Sequence, residues 1–321
     1  MGMKILDMGE RKIISRTYEN MNITQNKDDC VVIPRGNDYE LVTVDSINER
    51  THIPKGVSPE KIGNFFGAVN LSDIAAMGGI PQYFLAAFNI PSSLELGFLD
   101  NFERGLDSIL REFNVEYLGG DTKESDTMSF SGVCIGTASR EAILRRSNIN
   151  KGQILCVTHN LGHKIAAFIA YSNGIRISEN AEKMLSIIPR VREGAIIAKC
   201  GGKFMMDLSD GLGSALNQMK TDYSFGFRVV KDQIPIHEDL FRISKIVGID
   251  PYEAIFRYGG DYELLFTIDN NNSEETASIL RNEGVEFSMI GDVWENENII
   301  FDGERWNPIA ESGYEHFKPH Y

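Results

Sequence analysis

Residues 58–81, SPEKIGNFFGAVNLSDIAAMGGIP, constrain the fold more than any other stretch. Ser58 is placed to cap a helix and Pro59 suits its first position. Gly78, Gly79 and Pro81 end it, so the spacing predicts a helix over 58–77. At about 100° per residue Ile62, Phe65, Phe66 and Val69 share one face, and Asp73 falls about 20° from Ile62. A carboxylate therefore lies on the face expected to be buried, where a helix cap or a turn does not explain it.

The rest of the chain alternates strand and helix patterns. Strands fit 40–46 and 128–138, with another running into YLGGDT, and a second helix fits 93–113 with Leu99, Phe102, Leu106, Ile109, Leu110 and Phe113 on one stripe. The polar stretch ILRRSNINKGQ, 143–153, interrupts the pattern. Beyond it, strands fit 153–158, 203–207, 226–230 and 262–268, and helices fit 160–173, 190–200, 210–220, 237–247 and 273–283. The expectation is an α/β (α+β) protein of two mixed domains, 1–145 and 146–321, which suits a chain of 321 residues.

Composition narrows the function. The formal net charge of −14 disfavours nucleic acid, and it means that a phosphorylated substrate needs cations between itself and the protein. No apolar run approaches the roughly 20 residues of a membrane span, and the N-terminus is too charged for a signal peptide. Cys30, Cys134, Cys156 and Cys200 form no C-x-x-C pair and read as reduced, buried thiols, which points to the cytoplasm.

Acidic residues gather at the ends of the expected elements: Asp28, Asp29, Asp45, Asp73, Asp121, and Asp207 with Asp210 in MMDLSDGL. Such carboxylates suit hard cations such as Mg²⁺. The GGDT run at 119–122 permits close backbone approach to a ligand, and SDGL opening a helix aims free N–H groups at an anion. The chain has no G-x-x-x-x-G-K-[ST] loop, no G-x-G-x-x-G fingerprint and no kinase signature. Taken alone, His52 and His316 read as structural histidines, and no side chain stands out as a nucleophile.

Together, DLSDGL, GGDT, NLSDIAAMGGIP, GGDYELLFT and SGYEHF, with Asp45, Glu49 and His52 in a D-x-x-x-E-x-x-H run, resemble the thiamine-monophosphate kinase family. That family belongs to the ATP-binding superfamily of aminoimidazole ribonucleotide synthetase, selenophosphate synthetase and the hydrogenase-maturation dehydratase. The resemblance covers nearly the whole chain. It implies an N-terminal domain whose sheet joins its twin's in a homodimer barrel, a C-terminal domain with a mixed sheet flanked by helices, and phosphoryl transfer from ATP to thiamine monophosphate assisted by several Mg²⁺ ions. Carried over by position, Asp29, Asp45, Asp73, Asp121, Asp207 and Asp210 hold magnesium, with Asp207 and Asp210 as the catalytic pair. Gly120, Asp121, Arg146 and Ser209 contact ATP, while His52 and Tyr314 contact the acceptor.

The chain departs from the family at four places. Lys27 stands where Gly is usual, Val44 where a hydroxyl is common, Gln153 where Asp is common, and Gly260 where a Glu contacts substrate. Other branches fit less well. Cys30 lacks the glycine-rich context of a selenophosphate synthetase, and FKPHY lacks the terminal cysteine of the hydrogenase-maturation branch. A non-catalytic nucleotide-binding paralogue is the alternative of another class; Gly260 and Val44 favour it, and the retained aspartates oppose it.

Overall fold

The structure is a computed structural model that describes residues 5–295, 297–310 and 313–317. In the N-terminal half, α1 (Glu10–Asn20), β1 (Val31–Arg35) and β2 (Asp38–Asn48) precede α2 (Pro59–Ala76), β3 (Ile80–Ile90), α3 (Leu96–Glu112), β4 (Glu116–Glu124) and β5 (Ser129–Ser139). The strands form one open sheet in the order β1-β2-β5-β3-β4, antiparallel except for the β3–β4 pair. The helices α2 and α3 cross at glycines: a Cβ on Gly63 would meet the Phe102 carbonyl oxygen at 1.8 Å, and one on Gly105 would meet that of Glu60 at 1.8 Å. That approach stacks Phe102 on Phe130 of β5, with ring centroids 4.2 Å apart, and the buried ring of Phe66 packs beside them.

The chain passes to a second sheet over residues 140–153. There follow β6 (Ile154–Thr158), α4 (His163–Ser172), α5 (Ile177–Met184), α6 (Val191–Lys199), β7 (Gly202–Asp207), α7 (Leu212–Tyr223), β8 (Phe225–Val230), α8 (Glu238–Val247), α9 (Pro251–Arg257), β9 (Leu264–Ile268), α10 (Ser273–Asn282), β10 (Phe287–Glu295), β11 (Ile299–Phe301) and β12 (Trp306–Pro308). This sheet runs β12-β11-β8-β10-β6-β9-β7 and is covered on both faces. Leu155 and Val157 pack with Ile165, Leu212, Leu240 and Ile255 of α4, α7, α8 and α9, while Cys156 and Phe266 pack with Ile197 of α6 and Leu280 of α10. Two mixed sheets with flanking helices are the expected architecture.

The helix containing Asp73 is buried nearly all round, because α2 lies between the first sheet and the second half of the chain. Gly63, Ala68, Asn70, Leu71 and Ser72 are as enclosed as the predicted apolar face. The periodicity argument for Asp73 thus describes only one side of a helix that is enclosed on nearly every side beyond its first two turns.

Several expected boundaries shift. The second helix begins at Leu96 rather than 93, α4 at His163 rather than 160, and α7 at Leu212 rather than 210. The strand β3 follows α2 directly, although IPQYFLAAFNI alternates poorly and carries Pro81 at its second position. Pro81 is tolerated beside a register shift between Pro81 and Tyr83, where the ladder with β5 is already broken.

Candidate active site

Four separated segments bring their carboxylates to one cavity of about 330 Å³ between the two sheets. The loop before β1 supplies Asp29, β2 supplies Asp45, α2 supplies Asp73, and the end of β7 with the following turn supplies Asp207 and Asp210. Oxygens of Asp29, Asp73 and Asp207 lie within 4.8 Å of one another. Asp45 and Asp210 line the same cavity, as does Glu10 of α1.

Hydroxyl groups fix how these carboxylates point. Ser72 Oγ donates to Asp207 Oδ2 at 2.7 Å and Ser209 Oγ to Asp207 Oδ1 at 3.2 Å. Thr43 Oγ1 donates to Asp73 Oδ2 at 2.5 Å. Val44, which stands where the family pattern has a hydroxyl, is exposed, and Thr43 lies on the opposite, buried face of β2. Asp28 turns away from the cavity, accepting from the Arg146 backbone N–H at 2.9 Å and from Arg145 Nε at 2.9 Å. Lys27 pairs with Asp222 of α7 at 2.8 Å, which anchors the same loop. Gln153 accepts from Thr267 Oγ1 at 2.8 Å and from the Asn150 backbone at 3.0 Å, a structural role outside the cavity.

The cavity wall holds six carboxylates and two guanidinium groups, Arg11 and Arg146. Arg146 is committed to Asp29 by two hydrogen bonds, 3.1 Å and 2.5 Å. That leaves one guanidinium, Arg11, against five carboxylates on this wall. Burial, then the neighbouring Asp207, Asp45 and Asp29, push the Asp73 carboxyl well above the ordinary carboxylate range. Burial followed by Asp29 pushes Asp207 up to about 7, and burial followed by Glu10 pushes Asp210 up to about 7. Desolvated carboxylates this close together resist ionising side by side, so they hold protons or cations.

A second cavity of about 340 Å³ opens from the same wall and shares Glu10, Asp45, Ser209 and Asp210 with the first. Its remaining lining is aromatic and apolar: Phe65, Phe168, Met184, Leu185, Tyr258, Tyr262 and Tyr314, with His52, His316 and Lys164. His52 and His316 stand 5.4 Å apart, and burial together with His316 lowers the His52 pKa to about 4, so its ring is neutral. Tyr314 meets His316 edge-on, with its hydroxyl 3.2 Å from Nδ1. This C-terminal segment is tied to α1 by the Glu10 N–H donating to the His316 carbonyl at 3.3 Å.

The turn after β7 is held by backbone contact. Gly260 N–H donates to the Ser209 carbonyl at 2.7 Å and Tyr262 N–H to that of Leu208 at 3.2 Å. A Cβ on Gly211 would stand 2.1 Å from the Tyr258 carbonyl oxygen, and one on Gly259 would stand 2.3 Å from that of Ser209. Gly211, with φ of 89°, occupies the N-cap position of α7, which has no side-chain cap. The expectation that SDGL opens the helix is corrected by two residues, and Asp210 is free to face the cavities.

Of the expected site residues, the structure brings together Asp29, Asp45, Asp73, Arg146, Asp207, Ser209 and Asp210 at the first cavity, and His52 and Tyr314 at the second. Gly120 and Asp121 lie elsewhere. They sit on the edge strand β4 and line neither cavity, and Asp121 is exposed and paired with Lys123 at 3.2 Å. Sequence reasoning missed Glu10 and Arg11. The helix that carries them offers only Ile13, Ile14 and Tyr18 as apolar residues and buries none of its side chains fully.

Two mixed sheets with an acidic cleft between them define the α/β class of this chain, and residues 27–138 match the sequence profile of the AIR synthase related protein, N-terminal domain. The chain is 30% identical over 313 residues to the thiamine-monophosphate kinase of Pyrococcus horikoshii, covering 97% of each chain. It is 32% identical to that of Buchnera aphidicola, covering 89% of this chain and 90% of the relative. Its fold matches the structure of AaThiL complexed with AMPPCP and TMP at a TM-score of 0.88, with 24% identity, 98% of this chain covered and 99% of that one. The chain belongs to the thiamine-monophosphate kinase family.

Proposed function

We propose that the protein moves the γ-phosphoryl group of ATP directly onto thiamine monophosphate, giving thiamine diphosphate and ADP. The observation that carries this reading is the convergence of Asp29, Asp73 and Asp207 within 4.8 Å of one another, on a wall shared with an aromatic cavity. Hard oxygen donors with uncompensated charge fit Mg²⁺. Bound Mg²⁺ supplies neutralisation of the phosphates and Lewis-acid polarisation of the transferring group. Asp29, Asp73 and Asp207 would hold the ions, with Asp45 and Asp210 on the wall shared with the second cavity. The hydroxyls of Thr43, Ser72 and Ser209 fix the carboxylate rotamers. Arg146, hydrogen-bonded to Asp29 on the same wall, would be placed to meet a nucleotide phosphate.

Thiamine monophosphate has a cationic thiazolium and an anionic phosphate, and the second cavity is arranged for that polarity. Aromatic faces and Glu10, Asp45 and Asp210 favour the cation, and a neutral His52 does not repel it. The phosphate then points to the wall shared with the first cavity. Positioning and charge stabilisation suffice for phosphoryl transfer, so no protein nucleophile is needed.

Two copies are proposed to pair through the first sheet. Its strands expose Val31, Ile33, Val44, Tyr83, Tyr117 and Leu118, and β4 is exposed along nearly its whole length. In this reading Gly120 and Asp121 act at the paired edge. The cytoplasm is the proposed location, and among the described residues no helix is long and apolar enough to cross a membrane. An acceptor panel tests the reading: ATP and Mg²⁺ are offered with thiamine monophosphate, selenide or an aminoimidazole ribotide precursor. Product from thiamine monophosphate alone is expected, and turnover only with another acceptor contradicts it.

A further inference from the structure

Away from both cavities, three ligating side chains meet where α4 and α8 begin. His163 is the first residue of α4, His237 is the N-cap of α8, and Asp239 is the second residue of α8. Backbone contacts fix the two starts against each other. Leu161 N–H donates to the Pro235 carbonyl at 2.7 Å, and His237 N–H donates to the Leu161 carbonyl at 2.8 Å. A Cβ on Gly162 would stand 2.6 Å from Leu240, so the segments have no slack. One ligating atom from each of the three side chains lies within 4.8 Å of the others.

The spacing fits a small tetrahedral ion. Asp239 Oδ2 lies 3.2 Å from His163 Nδ1 and 3.7 Å from His237 Nδ1. Bonds of about 2.0–2.2 Å at tetrahedral angles put neighbouring donors about 3.4 Å apart, between those two values. His163 Nδ1 is buried and makes no hydrogen bond, although Asp239 Oδ2 lies 3.2 Å away. A buried ring nitrogen without a partner calls for an ion or a water.

We propose that His163, His237 and Asp239 form a binding site for a divalent transition ion of the Zn²⁺ class, with a fourth position open to water or an external ligand. Two imidazoles and one carboxylate suit Zn²⁺ or Co²⁺ and disfavour Mg²⁺, which takes oxygen donors. The site is therefore chemically distinct from the all-carboxylate cluster. Ligation needs a neutral imidazole. Asp239 gives Oδ1 to Arg242 at 3.0 Å and keeps Oδ2 toward the imidazoles. His237 Nδ1 accepts the Asp239 N–H at 3.2 Å, and ligation exchanges that long cap bond for a metal bond. The ion braces the first turn of α4, whose N–H groups at Gly162 and Lys164 donate to Asp261 and whose Lys164 side chain reaches the second cavity.

The test is a Co²⁺ titration of the whole protein in excess Mg²⁺, which occupies the carboxylate cluster, read by visible absorption. One equivalent of Co²⁺ is expected to give the intense band of a four-coordinate ion, and Zn²⁺ is expected to displace it one for one. His163→Ala, His163→Gln and His237→Gln each remove the band, while Asp73→Asn retains it. Melting in Mg²⁺ alone shows which variants are folded, and one folded histidine variant together with the wild type decides the matter. A wild type without the band overturns the proposal. So does a band that survives in a folded histidine variant, or one lost in Asp73→Asn, which places the ion in the acidic cavity.

Discussion

At the scale of single residues, the account turns on buried carboxylates without enough positive charge. Asp210→Asn is expected to lower kcat by about 100-fold or more, the scale of losing one preorganised electrostatic contact in the transition state. A kcat within a factor of two of wild type contradicts the role. The same substitution gives a pH test. Burial, then Glu10, raises the Asp210 pKa from an ordinary 3.8 to about 7, so between those values the folded chain holds a proton that the unfolded chain releases. Its contribution to stability is full below about pH 4 and is lost as pH rises through 7. Without Mg²⁺, Asp210→Asn should therefore match wild type at pH 4 and exceed it at pH 8, on the order of 1.4 kcal/mol for each pH unit by which the pKa is raised. Melting at both pH values checks this, and a variant less stable at pH 8 reverses the sign. Tyr314→Ala should raise KM for thiamine monophosphate several-fold, consistent with about 0.5–2 kcal/mol of cation–π contact, and leave KM for ATP nearly unchanged. Equal damage to both substrates assigns Tyr314 to packing.

At the scale of elements, the turn after β7 is the piece that cannot change shape. Gly211 combines a φ of 89° with a Tyr258 carbonyl 2.1 Å from where a Cβ would sit. Gly211→Ala should destabilise the protein by about 2 kcal/mol or more and cut activity further than the melting shift explains, because Asp210 moves with the turn. An unchanged melting temperature refutes that coupling. Elements with clear caps or periodicity were legible in sequence. The helix α2 was bounded by Ser58, Pro59 and the Gly78-Gly79 pair, and Ser58 does accept from the Lys61 N–H. The helix α1, the strand β3 and the short helices α5 and α9 were not. The first has only Ile13, Ile14 and Tyr18 as apolar residues, the second alternates poorly, and the last two span 8 and 7 residues, too few turns for a period to show. The site was legible as residue types but not as a place. Nothing local in the sequence tells that Asp29, Asp73 and Asp207 meet, or that Asp121 stands apart on an edge strand.

At the scale of the whole molecule, the two sheets and the interposed α2 create the cleft, and α1 and residues 313–317 close one side of it. Pairing through the first sheet predicts a mass of twice 36.0 kDa in solution and a shift toward monomer for Val44→Glu combined with Tyr117→Glu. A wild-type monomer in sedimentation at micromolar concentration contradicts the pairing. The central claim is transfer of one phosphoryl group across the wall that the acidic and aromatic cavities share. Its most direct test is a single-turnover reaction with ATP labelled at the γ-phosphate, thiamine monophosphate and Mg²⁺. The account predicts label in thiamine diphosphate in step with ADP, and none when the metal is chelated. Label released only as inorganic phosphate, or transfer that persists without a divalent ion, contradicts it.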